Sequence, residues 1–491
     1  MNAAAGASLL LPLLVSVPLL GGLASFVLGG RGRWVAVGAL ALNAILAALL
    51  LAATRAGPLG YALGDWPAPL GITLGADGMA ALFVAVSALV TLVAGTYSLA
   101  YFAGGSATDR VFWPLWCLLL AALNTLFITR DLFNAYVGIE VLGLSAIALV
   151  TLAGDAGAVR AALRYLLVSL VGSLCYLMGV ALIYRAHGVL DVGALAGISG
   201  ATPPEQVALA LMSAGLLLKT ALFPLHFWLP EAHASAPAPV SAALSALVLK
   251  GTFFVLLRLW FEVLPATAGP AAATTVAVLG AAAIAWGSFM AARAPRLKRL
   301  VAYSTVAQIG YLFLLFPLLE AGPAQAAALD AVVYFVLAHA CAKAAMFLAA
   351  GNVQSAAGHD RIDDLRGDAL PGAGTQFALA FAGISLIGLP PTGGFAAKWM
   401  LLQGAAEAGA WWLFAVALGG ALLAAVYVFR VLARSFDLTS MLAGRAAPRL
   451  ARVSACREWS ALVLALASLA LGLVAGPLLS GIHGAGFALI R

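Results

Sequence analysis

Charge is scarce in this chain. Only 9% of its 491 residues are charged, against 64% hydrophobic and a mean hydropathy of +1.05, well under half the charge of a soluble domain, about 25%. A water-soluble enzyme is excluded. Cysteine is also rare: Cys117, Cys175, Cys341 and Cys456 stand far apart, without the paired spacing of a zinc or iron–sulfur centre, so no metal site and no electron carrier is implied. No G-x-x-x-x-G-K-[ST] run and no G-x-G-x-x-G after a strand is present, which leaves ATP hydrolysis and NADH binding without a place and predicts no cofactor. The first apolar run, Leu9 to Leu28, lacks a basic leader and a cleavage site and reads as a retained helix.

What remains is apolar sequence in span-sized blocks. A bilayer crossing takes about 20 residues, and blocks bounded by charge, Gly or Pro predict fourteen helices, near 8–29, 34–53, 78–102, 111–129, 132–153, 162–184, 207–229, 238–260, 271–292, 300–318, 329–350, 375–402, 410–432 and 459–481. The fold expected is an all-α polytopic membrane protein. With both termini outside, seventeen of the 26 basic residues fall on the inner face and only Arg55, Arg130, Arg185, Arg258 and Arg491 outside, as the positive-inside rule requires. The net charge of +7 is therefore topological, and no nucleic-acid partner is implied; the setting is a lipid bilayer, as a multi-pass protein of the cell membrane.

Four basic residues are left over. Lys219, Lys250, Lys343 and Lys398 fall inside predicted helices, as does Glu140. A charged group there costs from about 2.5 kcal/mol upward unless paired, hydrated or neutral, so these five point to a water- or protein-lined interior path. The alternative is snorkelling toward an interface, and it suits Lys398 best, near a helix end. Glu140 reads as a buried acid whose partner is Lys219 or Lys250, a pair able to exchange a proton.

Two predicted helices carry breaks. GLLLKTALFPLHFWLPEAH places Pro224 and Pro230 beside Lys219 and His226, and ISLIGLPPTGGFAAKWMLL places Pro390, Pro391, Gly393 and Gly394 before Lys398. Unwound backbone at membrane depth needs protein or water to satisfy it, and paired breaks five helices apart suggest a repeat. The chain is accordingly divided into helices 1–3 (1–105), a first repeat of helices 4–8 (106–262), a second of helices 9–13 (263–435), and an inner loop with helix 14 (436–491). His339 and Lys343 share a helix face. For His339 and His226 a relay role and a structural hydrogen bond are both open, whereas His233 is placed at a mouth or in a loop bond. Trp113, Trp116, Trp228, Trp260 and Trp399 read as interfacial anchors. The loop GHDRIDDLRGDALPG reads as a solvated turn, and the basic run RAPRLKRLVAYS as positive-inside bias with headgroup contact.

NTLFITRDLFNAYVGIE, LLLKTALFPLHFWLPEAH, APAPVSAALSALVLKG, RLKRLVAYSTVAQIGY, AHACAKAAMFL and GLPPTGGFAAKW together resemble the antiporter-like membrane subunits shared by respiratory complex I, membrane-bound hydrogenases and multisubunit Na+/H+ antiporters, over about residues 65–430. The resemblance implies fourteen helices with two inverted five-helix repeats and broken helices 7 and 12. It also implies a proton relay of Glu140, Lys219, Lys250, His339, Lys343 and Lys398, with His226, His233 and the prolines in support. GYALGDWPAPLGITLGADGMAALF is similar to the D-type member of the antiporter, so the expected function is a D-like proton-translocating subunit of a monovalent cation/proton antiporter. The alternatives are a proton-pumping subunit of an NADH–quinone oxidoreductase or membrane-bound hydrogenase, and a membrane scaffold. Protons, with Na+ as a second candidate cargo, and other membrane subunits are the partners implied.

Overall fold

The computed structural model describes residues 7–66, 68–320, 325–365, 371–437, 451–476 and 478. Within a bilayer the backbone must satisfy itself, and helices are the means. They run as α1 (Leu10–Leu28), α2 (Gly32–Ala53), α3 (Gly78–Tyr101), α4 (Ala107–Ile128), α5 (Leu132–Thr151), α6 (Ala156–His187), α7 (Pro203–Thr220), α8 (Leu229–Ser235), α9 (Ala238–Val263), α10 (Pro270–Arg293), α11 (Leu297–Leu314), α12 (Gln325–Ala357), α13 (Ala373–Ile387), α14 (Gly393–Glu407), α15 (Trp411–Ser435) and α16 (Ala455–Leu473). Their starts are written locally: Asp77, Ser106, Asp131 and Asp155 each accept a hydrogen bond from the backbone N–H three residues on, satisfying donors that the first turn leaves free. Among the described residues eleven helical runs are long and apolar enough to cross a membrane, so the chain is an all-α polytopic membrane protein. The first run, Leu10–Ala56, is continuous over 47 residues but turns at Gly29–Arg31, so that α1 packs back on α2.

One element was not expected from the sequence. Between α2 and α3 the chain forms a small antiparallel hairpin, β1 (Leu59–Ala62) with β2 (Thr73–Ala76), Leu59 opposite Ala76 and Tyr61 opposite Leu74. Its strands are four residues each, too short for their alternation to stand out against 64% hydrophobic composition.

The long helices sort into layers. α9, α11 and α12 are almost wholly enclosed, whereas α1, α2, α6 and α15 leave broad apolar faces exposed, as lipid- or subunit-facing helices do. Close approach in the interior uses glycine. A Cβ on Gly280 of α10 would lie 2.6 Å from the Gly310 carbonyl of α11, and one on Gly310 only 2.3 Å from that of Gly280, the small-residue packing that membrane helices rely on.

α7 stops at Thr220, where Ala221 takes a left-handed φ of +58°, and helix resumes at Leu229. Pro224 lies in the gap, while Pro230 sits in the first turn of α8, where a missing N–H costs nothing. α13 stops at Ile387, Gly388 turns with φ +89°, and Pro390 and Pro391 fill the gap before α14. Three sequence expectations are corrected. Trp113, Trp116, Trp228 and Trp260 are buried and not interfacial, each donating its indole N–H inward, to Asp109, the Thr91 carbonyl, the Leu218 carbonyl and Ser213 respectively. Trp399 alone of the five is exposed. His233 is fully buried rather than at a mouth, its ring stacked on Phe347. Arg457 and Lys298, counted with the inner loops, are buried. Arg366, Asp368, Arg445, Arg449, Arg491 and the end of the fourteenth predicted helix lie outside the described residues.

Candidate functional site

The chain contains 21 arginines and only five lysines, and all five lysines are buried, none more than 6% exposed. Arginine stays charged at any accessible pH, whereas an ammonium can give up its proton. Four of the five are the residues predicted for the site, and the structure brings them into one row.

At one end, Lys219 near the end of α7 lies 3.5 Å from a Glu140 carboxylate oxygen on α5 and donates to the Ser169 hydroxyl at 2.7 Å. Glu140 is partly exposed, 21% at its side chain, a correction to the buried acid expected. The Lys219 stem lies against Gly172 of α6, where a Cβ would come within 3.1 Å of it. The neighbouring Thr220 hydroxyl meets that of Thr252 on α9 at 3.0 Å, two residues along from Lys250.

Lys250 donates at 2.5 Å to the Ser245 carbonyl. That acceptor comes from a π turn over Leu244–Val248, an irregularity that opens backbone carbonyls within a helix and recurs at functional sites. The Ser245 hydroxyl then meets Thr305 on α11 at 2.8 Å, Thr305 donates to the Val301 carbonyl, and Lys343 of α12 donates to that same carbonyl at 2.7 Å and to Ser304 at 2.5 Å. His339 lies one turn from Lys343, stacked on Phe335, with neither ring nitrogen bonded to protein and the charges of Lys250, Lys343 and Lys398 within Coulombic range.

Lys398 of α14 completes the row. It donates to the Leu386 and Ile387 carbonyls at 2.8 and 3.0 Å and stands 4.4 Å over the Tyr311 ring. It therefore turns inward and does not snorkel. Those carbonyls are orphans at the C-terminus of α13, and a cation at a helix C-terminus also gains from its dipole. Gln308 donates to the Leu386 carbonyl as well. Ser304, Gln308 and Tyr311 thus follow one face of α11 between Lys343 and Lys398. Their spacing of four and three residues within RLKRLVAYSTVAQIGY is the signal the sequence offers for them, and the basic start of that run hides it. His226 is nearly buried beside Phe223, outside the row.

Charged groups also collect at the two ends of the fold. On the hairpin face Arg258 pairs with Asp77 at 2.5 Å and Glu262 at 2.9 Å, and Arg130 with Glu262 at 2.5 Å, bordering a cavity of about 260 Å3. Burial alone would raise the Asp77 carboxyl, but the Arg258 guanidinium and the Ala80 N–H hold it below its usual range. None of these four was singled out from the sequence. On the opposite face a polar vestibule of about 960 Å3 is bordered by Asp155, Glu231, Lys298, Arg299 and Asp360. Among the described residues no three His, Cys, Asp or Glu side chains converge as metal ligands do.

An enclosed set of lysines, bound to hydroxyls and carbonyls, lies within an all-α polytopic membrane protein. The family model for the NADH:quinone oxidoreductase/Mrp antiporter membrane region matches residues 129–424, and the chain belongs to that family. It is 38% identical over 429 residues to the N-type member of the NADH-quinone oxidoreductase of Desulforudis audaxviator, covering 86% of this chain and 82% of the relative. To the D-type member of the Na+/H+ antiporter of Alkalihalophilus pseudofirmus it is 29% identical, covering 76% and 75%. It superposes on a chain of the Mrp complex from Dietzia sp. DQ12-45-1b with a TM-score of 0.87 at 26% identity, over 99% of this chain and 97% of that one. The chain is a multi-pass membrane subunit that takes its place among other membrane-embedded subunits. Of the two relatives the oxidoreductase subunit is the more similar in identity and coverage, which favours the respiratory alternative over the D-like antiporter reading drawn from residues 60–83.

Proposed function

We propose that the chain is the proton-translocating, N-like subunit of a quinone-coupled respiratory membrane complex, driven by redox chemistry in other subunits. The observation that carries this is the set of buried lysines, each bound to a hydroxyl or a carbonyl, between Glu140 and Lys398. In it Glu140 and Lys219 exchange a proton in the first half, Lys250, His339 and Lys343 pass it laterally, and Lys398 loads or releases in the second. A D-like role in a cation/proton antiporter is the second reading, supported by the 29% identity to such a protein and by the fit to the Mrp complex.

Either reading takes the chain as fourteen spans, with the continuous first run as two crossings, and α7 with α8 and α13 with α14 as one broken crossing each; the eleven long apolar runs among the described residues are in keeping with it. The breaks fall in helices 7 and 12 of two inverted repeats, 106–262 and 263–435, after helices 1–3 (1–105) and before 436–491, with both termini outside. The test is proton pumping by the intact complex in proteoliposomes. Lys219→Ala and Glu140→Gln each lower pumping at least about tenfold in fully assembled complex, as loss of a proton-transfer group does. Normal pumping by both variants overturns the proposal; loss of assembly with normal pumping per assembled complex supports a scaffold instead.

A further inference from the structure

The fifth lysine has no part in the row described above. Lys298 stands in RLKR between Arg296 and Arg299, yet the three differ in setting. Arg296 is exposed and Arg299 pairs with Glu231 at the surface at 3.2 Å, whereas Lys298 is 4% exposed. Its ammonium donates at 2.5 Å to the Ala236 carbonyl just past the end of α8, and its backbone N–H donates at 3.0 Å to Asp360. It borders the polar vestibule of about 960 Å3 together with Asp155, Glu231 and Asp360.

Near it is His233, fully buried, with neither ring nitrogen bonded to protein. Lys343, Lys298 and Lys250 are all within Coulombic range of that ring, and the Ser241 hydroxyl contacts both the His233 and the Ala236 carbonyls, at 2.9 and 3.4 Å. A buried amine facing a polar cavity, with an unbonded imidazole near both it and two row lysines, has the form of an entry step.

Resting on the proton-translocation reading, we infer that Lys298 is the group through which protons enter the lysine row from this vestibule, with Asp360 as its positioning residue and His233 as the carrier behind it. The neutral amine of Lys298 takes a proton from vestibule water. The ammonium passes it through bridging water to one ring nitrogen of His233, and the imidazolium releases a proton from its other nitrogen, again through water, to Lys250 or Lys343. Only N–H and water O–H bonds form and break, each carrier returns to its starting state, and one proton moves inward. The charged groups facing Lys298 are Glu231 and His233 from the α8 side, Asp155 from the α5–α6 turn, Asp360 from the α12–α13 loop, and Arg296 and Arg299 on its own segment.

The experiment is proton pumping by the intact complex carrying Lys298→Met or Lys298→Arg, with Lys219→Ala in parallel. Arginine keeps the charge and can donate to Ala236 but cannot give up a proton, so both substitutions at 298 are expected to reduce pumping about tenfold. Full rescue by Arg makes Lys298 a structural cap and overturns the inference. Loss with Lys219→Ala alone leaves the proposed function standing without it, and normal pumping by Lys219→Ala overturns the wider reading instead. Should the 298 variants not assemble, Asp360→Asn leaves the lysine in place. It is expected to move the alkaline limb of the pumping pH profile to lower pH, because the ammonium has lost its counter-charge, and an unmoved profile overturns the assignment.

Discussion

Lys219, near the end of α7, and Lys398, in α14, are held in different ways. Lys219 has a carboxylate, Glu140, at 3.5 Å and a hydroxyl at 2.7 Å. Lys398 has two backbone carbonyls and an aromatic face, and no ion pair joins it to a carboxylate among the described residues. An ion pair opposes charge with charge, so the state of one member depends on the other. Carbonyls and a ring offer only partial charges, and the ammonium they bind can lose its proton without stranding an anion. Lys250 and Lys343 follow the second pattern, each donating to a carbonyl, whereas Lys298 donates to a carbonyl but also has the Asp360 carboxylate nearby. Within the row Lys219 is thus the one lysine in an ion pair, and Glu140 is the group that ties its charge to a proton.

The comparison breaks most visibly at Glu140. Glu140→Gln leaves Lys219 enclosed without its counter-ion, at a cost of about 3 kcal/mol, the low end for a buried pair that loses one partner, because Glu140 is itself partly exposed. Thermal unfolding of the purified complex, read alongside pumping, should show it, and Glu140→Gln/Lys219→Met should recover part of the loss. If the double variant is as unstable as the two single losses summed, the pair is not coupled. Lys398→Met strands no anion. Its cost is expected to be smaller, about 2 kcal/mol for the lost charge-assisted hydrogen bonds to Leu386 and Ile387, and a cost exceeding that of Glu140→Gln would reverse the ranking.

How much of this can be read from the sequence follows the same physics. An isolated ionisable residue in an apolar block is conspicuous, so Glu140 and four of the lysines stand out, and the described helices start and stop within a few residues of the predicted ones over most of the chain. Lys298 does not stand out, because it opens its helix amid Arg296 and Arg299 and looks like loop charge. That the chain uses lysine only at buried positions becomes visible once the arginines are set aside. The partners are harder still. The carbonyls that bind Lys250 and Lys398 belong to residues whose side chains carry no such signal, made available by a π turn and a helix end. The tryptophans mislead because position near a helix end is not burial: Trp113 and Trp116 sit in the fold interior with bonded N–H groups.

The ion pairs on the hairpin face provide a reference for the pair inside. Asp77 meets Arg258 at 2.5 Å, and its carboxyl is held below its ordinary value of 3.8. A carboxyl depressed in the folded state stabilises above the unfolded value and loses that contribution as pH falls through the lower folded one. Asp77→Asn is therefore expected to lower stability by about 1.5 kcal/mol, near the low end for a hydrogen bond to a charged group, by the same amount across pH 5–8. The gap to the native protein should close below about pH 4. A gap that instead widened on acidification would mean that Asp77 is protonated in the folded protein, and the hairpin would need another tether.

The smallest effect tests whether the aromatic face at Lys398 matters beyond filling space. The ammonium stands 4.4 Å over the Tyr311 ring, and the Tyr311 hydroxyl donates to the Ala417 carbonyl on α15. Tyr311→Phe keeps the ring and gives up only the hydroxyl bond, whereas Tyr311→Leu removes the negative face as well. A desolvated cation over an aromatic ring is worth about 1–2 kcal/mol, so the difference between the two variants, taken from unfolding of the complex, isolates that contribution. Repeating both in the Lys398→Met background should abolish the difference, since no cation is left to bind. If the difference persists there, it belongs to packing against α15, and the two carbonyls of α13 alone hold Lys398, leaving it still less like Lys219.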